Sequence, residues 1–432
     1  MKVNIFWFRR DLRLEDNKGF HFALRDELPV IPIFLFDKDI LNKLTNKSDK
    51  RVDLIHQIIT ELKKELQSLG SDLYVDYDTP INAWKKLFDH FEINKVYFNE
   101  DYEPTAIARD NDISKLLKTK GVDVESFKDQ CIFSKNDVLK QDGKPYTVYT
   151  PYKNKWLTTL TPKDILSFQN KKFFKNLFKV TKSFKIPSLE DMGFKKLNYE
   201  IPQKIIKKKK IESYHTNRDL PYIDGTSHLS FHLRFGLISP RKCAQVGMEL
   251  NKVWLEELIW REFFMQILFH FPYVTNAPFR EKYNNIAWIN NKSDFKKWCE
   301  GKTGYPIVDA GMRELNETGF MHNRVRMITA SFLVKHLLID WRWGEKYFAE
   351  KLIDYDQSAN NGNWQWVAGT GCDAAPYFRV FNPYTQQKKF DPDFIYIKKW
   401  IKEFNTKEYP KEMVEHSFAY RRAINTYQSS IG

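Results

Sequence analysis

The first 130 residues alternate short apolar runs with longer stretches in which apolar residues recur every three or four positions. The short runs are residues 3–8, 30–36, 72–77, 95–100 and 122–127, and they have the length and the β-branched or aromatic content of strands. The clearest helical stretch is residues 50–69, with apolar side chains at Val52, Ile55, Ile58, Ile59, Leu62 and Leu66. This alternation predicts a Rossmann-like parallel sheet with helices on both faces.

The pattern changes twice farther along the chain. Between residues 131 and 212 the periodicity weakens and Lys, Pro and Phe dominate, which indicates an interdomain linker that is ordered near residues 146–156. After Tyr214 strand patterns give way to long amphipathic helical ones, such as residues 255–271 and 323–338. The sequence therefore predicts an α/β domain over residues 1–130, a linker over 131–212 and an all-α domain over 213–432.

Composition narrows the class of protein. A chain of 432 residues is long enough for two cores. A formal net charge of +14 suits a polyanionic partner, although the lysine-rich stretch 163–210 supplies part of it and can equally be a solvated linker. Four scattered cysteines indicate a reducing compartment and no structural zinc. With no signal peptide and no membrane-spanning run, we expect a soluble, cytoplasmic protein that binds no metal.

Residues 224–236 (DGTSHLSFHLRFG) place an Asp-Gly turn before two hydroxyl residues and a helical pattern. Thr226 or Ser227 as a helix N-cap would bring hydroxyls and free backbone amides together, as a diphosphate requires. Simple capping is the alternative. The chain contains no GxGxxG motif and no P-loop, so a standard dinucleotide or nucleoside triphosphate site is not supported.

Two helical stripes mix aromatic, polar and charged side chains. Trp254, Glu257 and Trp260 recur every three residues, and Arg261 lies four after Glu257. A core stripe would not contain Glu and Arg unless they were paired. In the second stripe Asn323, Arg324 and Met327 share a face, whereas Arg326 points elsewhere and needs a carboxylate, for which Asp354 is the candidate. Two such stripes in one helical domain favour a lined cavity.

Residues 354–383 (DYDQSANNGNWQWVAGTGCDAAPYFRVFNP) combine acids, amides, tryptophans and an arginine without a long apolar run. Asn360 and Trp364 are four apart and share a helix face, while Trp366 points in another direction. A surface helix with aromatic anchors is the plain interpretation. The polar stripes elsewhere in the chain favour a ligand-binding segment instead.

These segments, together with FWFRRDLRLEDN (6–17), LEELIWREFF (255–264) and GKTGYPIVDAGMRELNETGFMHNRVRMITASFLVK (301–335), resemble the photolyase/cryptochrome flavoproteins over essentially the whole chain. The resemblance is strongest to class I photolyases that repair cyclobutane pyrimidine dimers. It implies an α/β domain, a long linker and a helical domain that holds a U-shaped FAD at the bottom of a cavity. It also implies light-driven electron transfer to a dimer that is flipped out of UV-damaged DNA.

The resemblance assigns roles to particular residues. FAD would be bound by Tyr214, Thr226, Ser227, His228, Leu229, Ser230, Trp254, Arg261, Asn323, Arg326, Asp354, Tyr355, Asp356 and Asn360. The dimer and DNA would be bound by Arg218, Glu257, Trp260, Asn323, Arg324, Met327, Trp366, Arg379 and Gln386. Catalysis would also use Glu257 on the pyrimidine edge, Asn360 opposite flavin N5, and an electron relay of Trp364, Trp341 and Trp288, whose alternative role is core packing.

Particular residues bear on three questions within the family: which antenna is bound, whether the chain is a cryptochrome, and whether it repairs (6-4) photoproducts. Thr105 and Ala106 replace the Asn-Glu pair of folate-binding members, so Arg51, Asp101 and Glu103 favour a deazaflavin or flavin antenna, if one is bound. Cryptochromes usually carry a C-terminal extension, but this chain stops soon after residue 420. Repair of (6-4) photoproducts relies on a histidine pair, and residues 321–327 supply only His322. We expect a monomeric enzyme that repairs cyclobutane pyrimidine dimers.

Overall fold

The N-terminal sheet is parallel and five-stranded. The computed structural model describes residues 2–431, and its strands are β1 (Lys2–Phe8), β2 (Val30–Asp37), β3 (Tyr74–Asp78), β4 (Glu92–Asn99) and β5 (Asp123–Phe127). The strand order is β3-β2-β1-β4-β5 with every pair parallel. The predicted strands and the parallel sheet are confirmed. β1 is buried from Val3 to Phe8, as expected of a strand covered on both faces.

Helices follow each strand and then fill the rest of the chain. The first ten α-helices are α1 (Lys18–Arg25), α2 (Lys38–Leu41), α3 (Lys50–Ser68), α4 (Pro80–His90), α5 (Pro104–Thr119), α6 (Tyr149–Thr159), α7 (Lys208–Glu212), α8 (Tyr214–Asn217), α9 (Ser230–Arg234) and α10 (Pro240–Leu250). The others are α11 (Lys252–His270), α12 (Lys292–Cys299), α13 (Pro306–Thr318), α14 (Asn323–Ser331), α15 (Trp341–Lys351), α16 (Gln357–Ala368), α17 (Pro383–Phe390), α18 (Ile395–Trp400) and α19 (His416–Ile431). Short 3₁₀ turns lie at Pro162–Ile165, Asn170–Asn176, Pro272–Thr275 and Glu281–Tyr283, and a π-helical turn at Phe332–His336.

The chain forms two compact units whose segments interleave. Unit 1 contains Met1–Asp137, Thr159–Ile205 and His228–Glu249, and unit 2 contains Val138–Thr158, Ile206–Ser227 and Leu250–Gly432. Unit 1 has an apolar core around the sheet that includes Val3, Ile5, Trp84 and Val96. The predicted linker thus contributes to both units, and the boundaries of the three predicted segments stay a prediction.

Unit 2 is helical, as the sequence predicts. Within the described residues no strand follows Tyr214. One apolar cluster of unit 2 is built mainly from α12 to α16 and includes Trp298, Phe332 and Trp364. No helix in the described part of the chain is long and apolar enough to cross a membrane.

The predicted helix start at Thr226 or Ser227 is wrong. α9 begins at Ser230 with Leu229 as its N-cap residue, and no side chain caps it. His228 has a positive φ of 52°, a conformation that interrupts a helix. Thr226 and Ser227 therefore lie in an irregular segment at the end of one stretch of unit 2, while His228, Leu229 and Ser230 belong to unit 1.

Candidate functional site

Unit 2 contains a cavity that is open to solvent and encloses about 540 Å³ of space between its lining atoms, part of which is bulk solvent. It is formed by α14, α15, α16 and the segment between α15 and α16. Its lining residues are Asn323, Arg326, Met327, Ala330, Phe348, Leu352, Asp354, Tyr355, Asp356, Ala359, Asn360, Asn363, Trp364 and Val367. Eight of these residues belong to the set that the sequence resemblance assigned to FAD, to the lesion or to the electron relay.

α14 presents one face to the cavity. The His322 side chain accepts a hydrogen bond from the backbone N–H of Arg324 and so caps the helix. The lining residues Asn323, Arg326, Met327 and Ala330 then follow the spacing of a single helical stripe. The expectation that Arg326 points away from this stripe is wrong, because Arg326 lies one turn after Asn323. Arg324 instead donates to Asp219 at 2.7 Å.

Arg326 and Asp354 form the predicted ion pair at the cavity wall. Arg326 Nη2 lies 2.9 and 3.2 Å from the two carboxylate oxygens of Asp354, and its Nε donates to the carbonyl of Met321 at 2.8 Å. The Asp354 side chain is only 2% exposed. Because both groups of the pair are fixed by hydrogen bonds, the wall offers oriented polar atoms to a ligand.

α16 carries some of the apolar and amide side chains of the cavity, among them Asn360, Trp364 and Val367. Asp356 accepts hydrogen bonds from the backbone N–H groups of Ser358 and Ala359, so its carboxylate both caps the helix and lines the cavity. Asn360 and Trp364 share the lining face, as their spacing predicts. The helix ends at Gly369, whose φ of 85° is the left-handed conformation that glycine adopts readily.

Asn360 is held by a residue that sequence reasoning missed. Its Nδ2 donates to the Glu345 carboxylate at 2.8 Å and to the Glu345 carbonyl at 3.1 Å. Burial raises the pKa of Glu345, while the hydrogen bond from Asn360 lowers it. Glu345 lies on α15 and Asn360 on α16, so no local spacing in the sequence linked the two residues. The contact fixes the amide orientation at the cavity.

We expect Asn360→Asp to make the protein less stable as the pH rises. The new carboxyl would face Glu345, and two adjacent carboxyl groups raise each other's pKa. A carboxyl whose pKa is higher in the folded than in the unfolded state contributes stability at low pH and loses it as the pH rises through the folded pKa. Melting temperatures measured between about pH 5 and 8 should therefore fall more steeply for the variant than for the wild type.

Glu345→Gln is the matched control for that experiment. Added to Asn360→Asp, it removes the second charge and should return the pH profile to that of the wild type. Parallel pH profiles for the wild type and for Asn360→Asp would show that the two side chains are not coupled.

α11 presents the first predicted stripe. Asn251 caps the helix by accepting from the N–H groups of Val253 and Trp254, and Trp254 is buried. Glu257, whose side chain is only partly buried, pairs with Arg218. Burial raises the pKa of Glu257, and Arg218 lowers it. Arg261 follows Glu257 by one turn.

Of the other predicted DNA-contacting residues, Trp366 and Arg379 lie near each other at the end of α16 and in the loop that follows it. The Arg379 guanidinium lies 5.9 Å from the ring centre of Trp366 and 5.5 Å from that of Phe381. Gln386 is half-buried on α17. Trp260 stacks on Tyr149, a contact that the sequence did not reveal. The described cavity is not lined by Glu257, Trp260, Arg324, Trp366, Arg379 or Gln386.

Two of the three predicted relay tryptophans belong to one apolar cluster of unit 2, and the third packs against that cluster. Trp364 and Trp341 are both 2% exposed within it, and Trp288 packs against it. A further tryptophan, Trp298, has its ring centre 6.2 Å from that of Trp364. Burial at one apolar core is expected of tryptophans that only pack there as well as of tryptophans that relay electrons, so the relay stays a prediction.

The predicted antenna residues in unit 1 are already paired. Arg10 lies 3.1 Å from Asp101 and 2.8 Å from Glu103, and Arg234 binds the same carboxylate oxygen of Glu103 at 2.8 Å. Arg51 pairs with Asp49. Coulombic attraction from Arg10 lowers the pKa of Asp101 to about 2 against the effect of its burial. The antenna site stays a prediction.

The cavity lining is suited to a flavin. It combines an Arg–Asp pair, a further carboxylate and three amide side chains with the apolar side chains of Met327, Phe348, Leu352, Trp364 and Val367. A flat heterocycle with a polar edge and an apolar body requires this mixture of donors, acceptors and hydrophobic surface. Within residues 2–431 no group of His, Cys, Asp and Glu is arranged to hold a metal ion.

Comparison with known proteins agrees with this chemistry. A family profile described as the FAD-binding domain of DNA photolyase matches residues 254–408, and one described as DNA photolyase matches residues 4–170. The deoxyribodipyrimidine photo-lyase of Vibrio cholerae is 35% identical, with 100% of both chains covered. The chain belongs to the photolyase/cryptochrome family.

Solved photolyase structures share the fold. A class III photolyase from Agrobacterium tumefaciens has a TM-score of 0.87 and 31% identity, and 100% of this chain and 98% of that chain are covered. A Sulfolobus tokodaii photolyase with two FAD molecules has a TM-score of 0.81 and 34% identity, with coverage of 99% and 100%. The expected family, fold class, FAD cofactor and light-dependent DNA repair by a lyase are confirmed.

Proposed function

We propose that this photolyase repairs cyclobutane pyrimidine dimers. The observation that carries the proposal is the unit 2 cavity, in which Asn323, Arg326, Asp354 and Asn360 lie beside Met327 and Trp364. Bound FAD would supply the light-driven electron that opens the cyclobutane ring. Asn323, Arg326, Asp354, Tyr355, Asp356 and Asn360 would bind its ring system, and Tyr214, Thr226, Ser227, His228, Leu229, Ser230, Trp254 and Arg261 the remainder.

Lesion recognition is assigned to aromatic and polar side chains. Trp260 and Trp366 would stack against a dimer that leaves the duplex, since an aromatic wall compensates for lost base stacking. Glu257 would hydrogen-bond the pyrimidine edge. The raised pKa of Glu257 supports this role, because a carboxyl that is protonated more readily can also donate a hydrogen bond to a carbonyl.

Binding to DNA outside the lesion is assigned to arginines. Arg218 and Arg324 are held by Glu257 and Asp219, and Arg379 lies over Trp366. Contacts of arginine with phosphate position a protein on DNA without reading its sequence. The formal net charge of +14 supports binding to a polyanion. Gln386 would add a polar contact to the same strand.

Further proposals concern the organisation of the enzyme. Residues 1–130 would form the antenna domain, with Arg51, Asp101 and Glu103 binding a deazaflavin or flavin. Residues 131–212 would link it to the catalytic domain, 213–432, in which Trp364, Trp341 and Trp288 relay electrons. We propose a monomer that acts in the cytoplasm, where a scattered set of free cysteines remains reduced.

The decisive experiment is repair of a defined lesion under blue light. An oligonucleotide with one thymine dimer is incubated with FAD-loaded protein in the light and in the dark, beside an oligonucleotide with one (6-4) photoproduct. We expect restoration of the thymines only in the light and only for the dimer. Repair of the (6-4) lesion alone would assign the other specificity, and repair of neither would favour a photoreceptor.

A further inference from the structure

Trp260 on α11 is stacked on an aromatic ring from α6. Tyr149, the first residue of α6, lies parallel to Trp260, with ring centres 3.5 Å apart and planes 7° apart. Phe263 meets both rings edge-on. Aromatic pairs in close contact prefer a defined mutual orientation. Phe264 is also stacked against Trp260, with ring centres 5.6 Å apart and planes 28° apart. Tyr149 makes the closer and more nearly parallel contact, so it contributes most to the orientation of the Trp260 indole.

Tyr149 is fixed and is not a lid that a ligand could displace. It is only 6% exposed, and its hydroxyl donates to the carbonyl of Glu256 on α11 at 2.9 Å. Farther along α6, Trp156 is fully buried and its indole N–H donates to Glu262 at 2.6 Å. Because α6 is attached to α11 at both ends, an incoming base must use the part of Trp260 that Tyr149 leaves uncovered.

The backbone of Tyr149 connects this wall to the loop after α16. Its N–H donates to the carboxylate of Asp373 at 2.8 Å, a favourable position for an acid at the start of a helix. Two residues after Asp373, the N–H of Ala375 donates to the carbonyl of Trp366 at 3.2 Å. A short chain of contacts thus joins the two tryptophans assigned to the lesion.

We propose that Tyr149 and Asp373 are positioning residues for lesion recognition. Tyr149 orients Trp260 by stacking. Asp373 fixes the position of that ring pair relative to the loop that follows Trp366. A flipped-out dimer consists of two linked bases, so the two tryptophan rings that contact it must be held at a fixed separation. Undamaged bases remain stacked in the duplex and do not contact these rings. The inference rests on the proposed function, because it assigns a lesion-binding role to Trp260.

The test compares variants by their affinity for a duplex with one thymine dimer and for the same undamaged duplex. Tyr149→Leu removes the stack while keeping an apolar side chain of moderate size, and should weaken dimer binding about 3- to 10-fold with undamaged binding unchanged. Tyr149→Phe keeps the stack and should stay within about 2-fold of the wild type. Asp373→Ala leaves both rings in place, and should weaken dimer binding about 2- to 5-fold.

Lys153→Ala is the matched control. Lys153 pairs with Glu256 across the same two helices at 2.9 Å without stacking on Trp260. Near-UV circular dichroism adds a readout of the stack, and should change for Tyr149→Leu but not for Lys153→Ala. If Tyr149→Leu does not fold, Asp373→Ala carries the test.

Three outcomes would overturn the proposal. If folded Tyr149→Leu prefers dimer DNA as strongly as the wild type, the inference is overturned but the proposed function is not. The same holds for Asp373→Ala when that variant carries the test. An equal loss of preference in Lys153→Ala also overturns it, because general docking of α6 would then be the cause. A wild-type protein that does not prefer dimer DNA overturns the proposed function and this inference together.

Discussion

Asp354→Ala is expected to destabilise the protein by about 3–5 kcal/mol, the usual cost of removing one partner of a buried ion pair. The Asp354 side chain is 2% exposed, and Arg326 beside it is 25% exposed. The truncation leaves the Arg326 guanidinium without its carboxylate at the cavity wall. Chemical denaturation measures the loss of stability, and the FAD-to-protein absorbance ratio after purification should fall in parallel.

Two controls separate stability from cofactor binding. Arg313 and Glu403 form a more exposed pair at 2.6 Å, so Glu403→Gln should cost no more than about 1 kcal/mol and leave FAD content unchanged. The double replacement Arg326→Met with Asp354→Leu removes both charges and should recover much of the stability without recovering FAD. Full FAD content in the double variant would contradict the assignment of this pair to the cofactor.

The features predicted correctly from sequence are those that depend on neighbours in the chain. The five strands are short apolar runs between turns, and their parallel order follows from the helices that separate them. Asn360 and Trp364 share a cavity face because they are four residues apart on one helix. Arg326 needed a carboxylate, and Asp354 supplies it.

The features that the sequence did not reveal depend on distant residues or on backbone geometry. Asn360 is bound by Glu345, and Trp260 is covered by Tyr149, which is more than a hundred residues away. No local pattern marks either pair. The helix expected after Thr226 starts later because His228 adopts a left-handed conformation, which is rare for a residue other than glycine. The family resemblance named eight of the cavity residues but not the side chains that hold them.

At Gly344 on α15, the addition of a single methyl group should disturb the packing of the cavity wall. A Cβ atom there would lie under 3.0 Å from Trp364 Cη2 and Cζ3 and from Leu333 Cδ2. Alanine in a helix interior usually stabilises relative to glycine by about 1 kcal/mol. Here we expect Gly344→Ala to destabilise by about 1–3 kcal/mol, because the buried indole must shift within a packed core.

The two-residue exchange Gly344→Ala with Trp364→Phe tests this cause. Phenylalanine lacks the outer atoms of the indole, so the added methyl group gains space, and the double variant should be more stable than the sum of the single effects predicts. Lys346→Ala, on an exposed position of the same helix, should stay within about 0.5 kcal/mol of the wild type. Additive effects in the cycle would show that Gly344 and Trp364 are not in contact. Coupled effects would show that the close approach of α15 and α16 fixes Trp364 at the cavity wall.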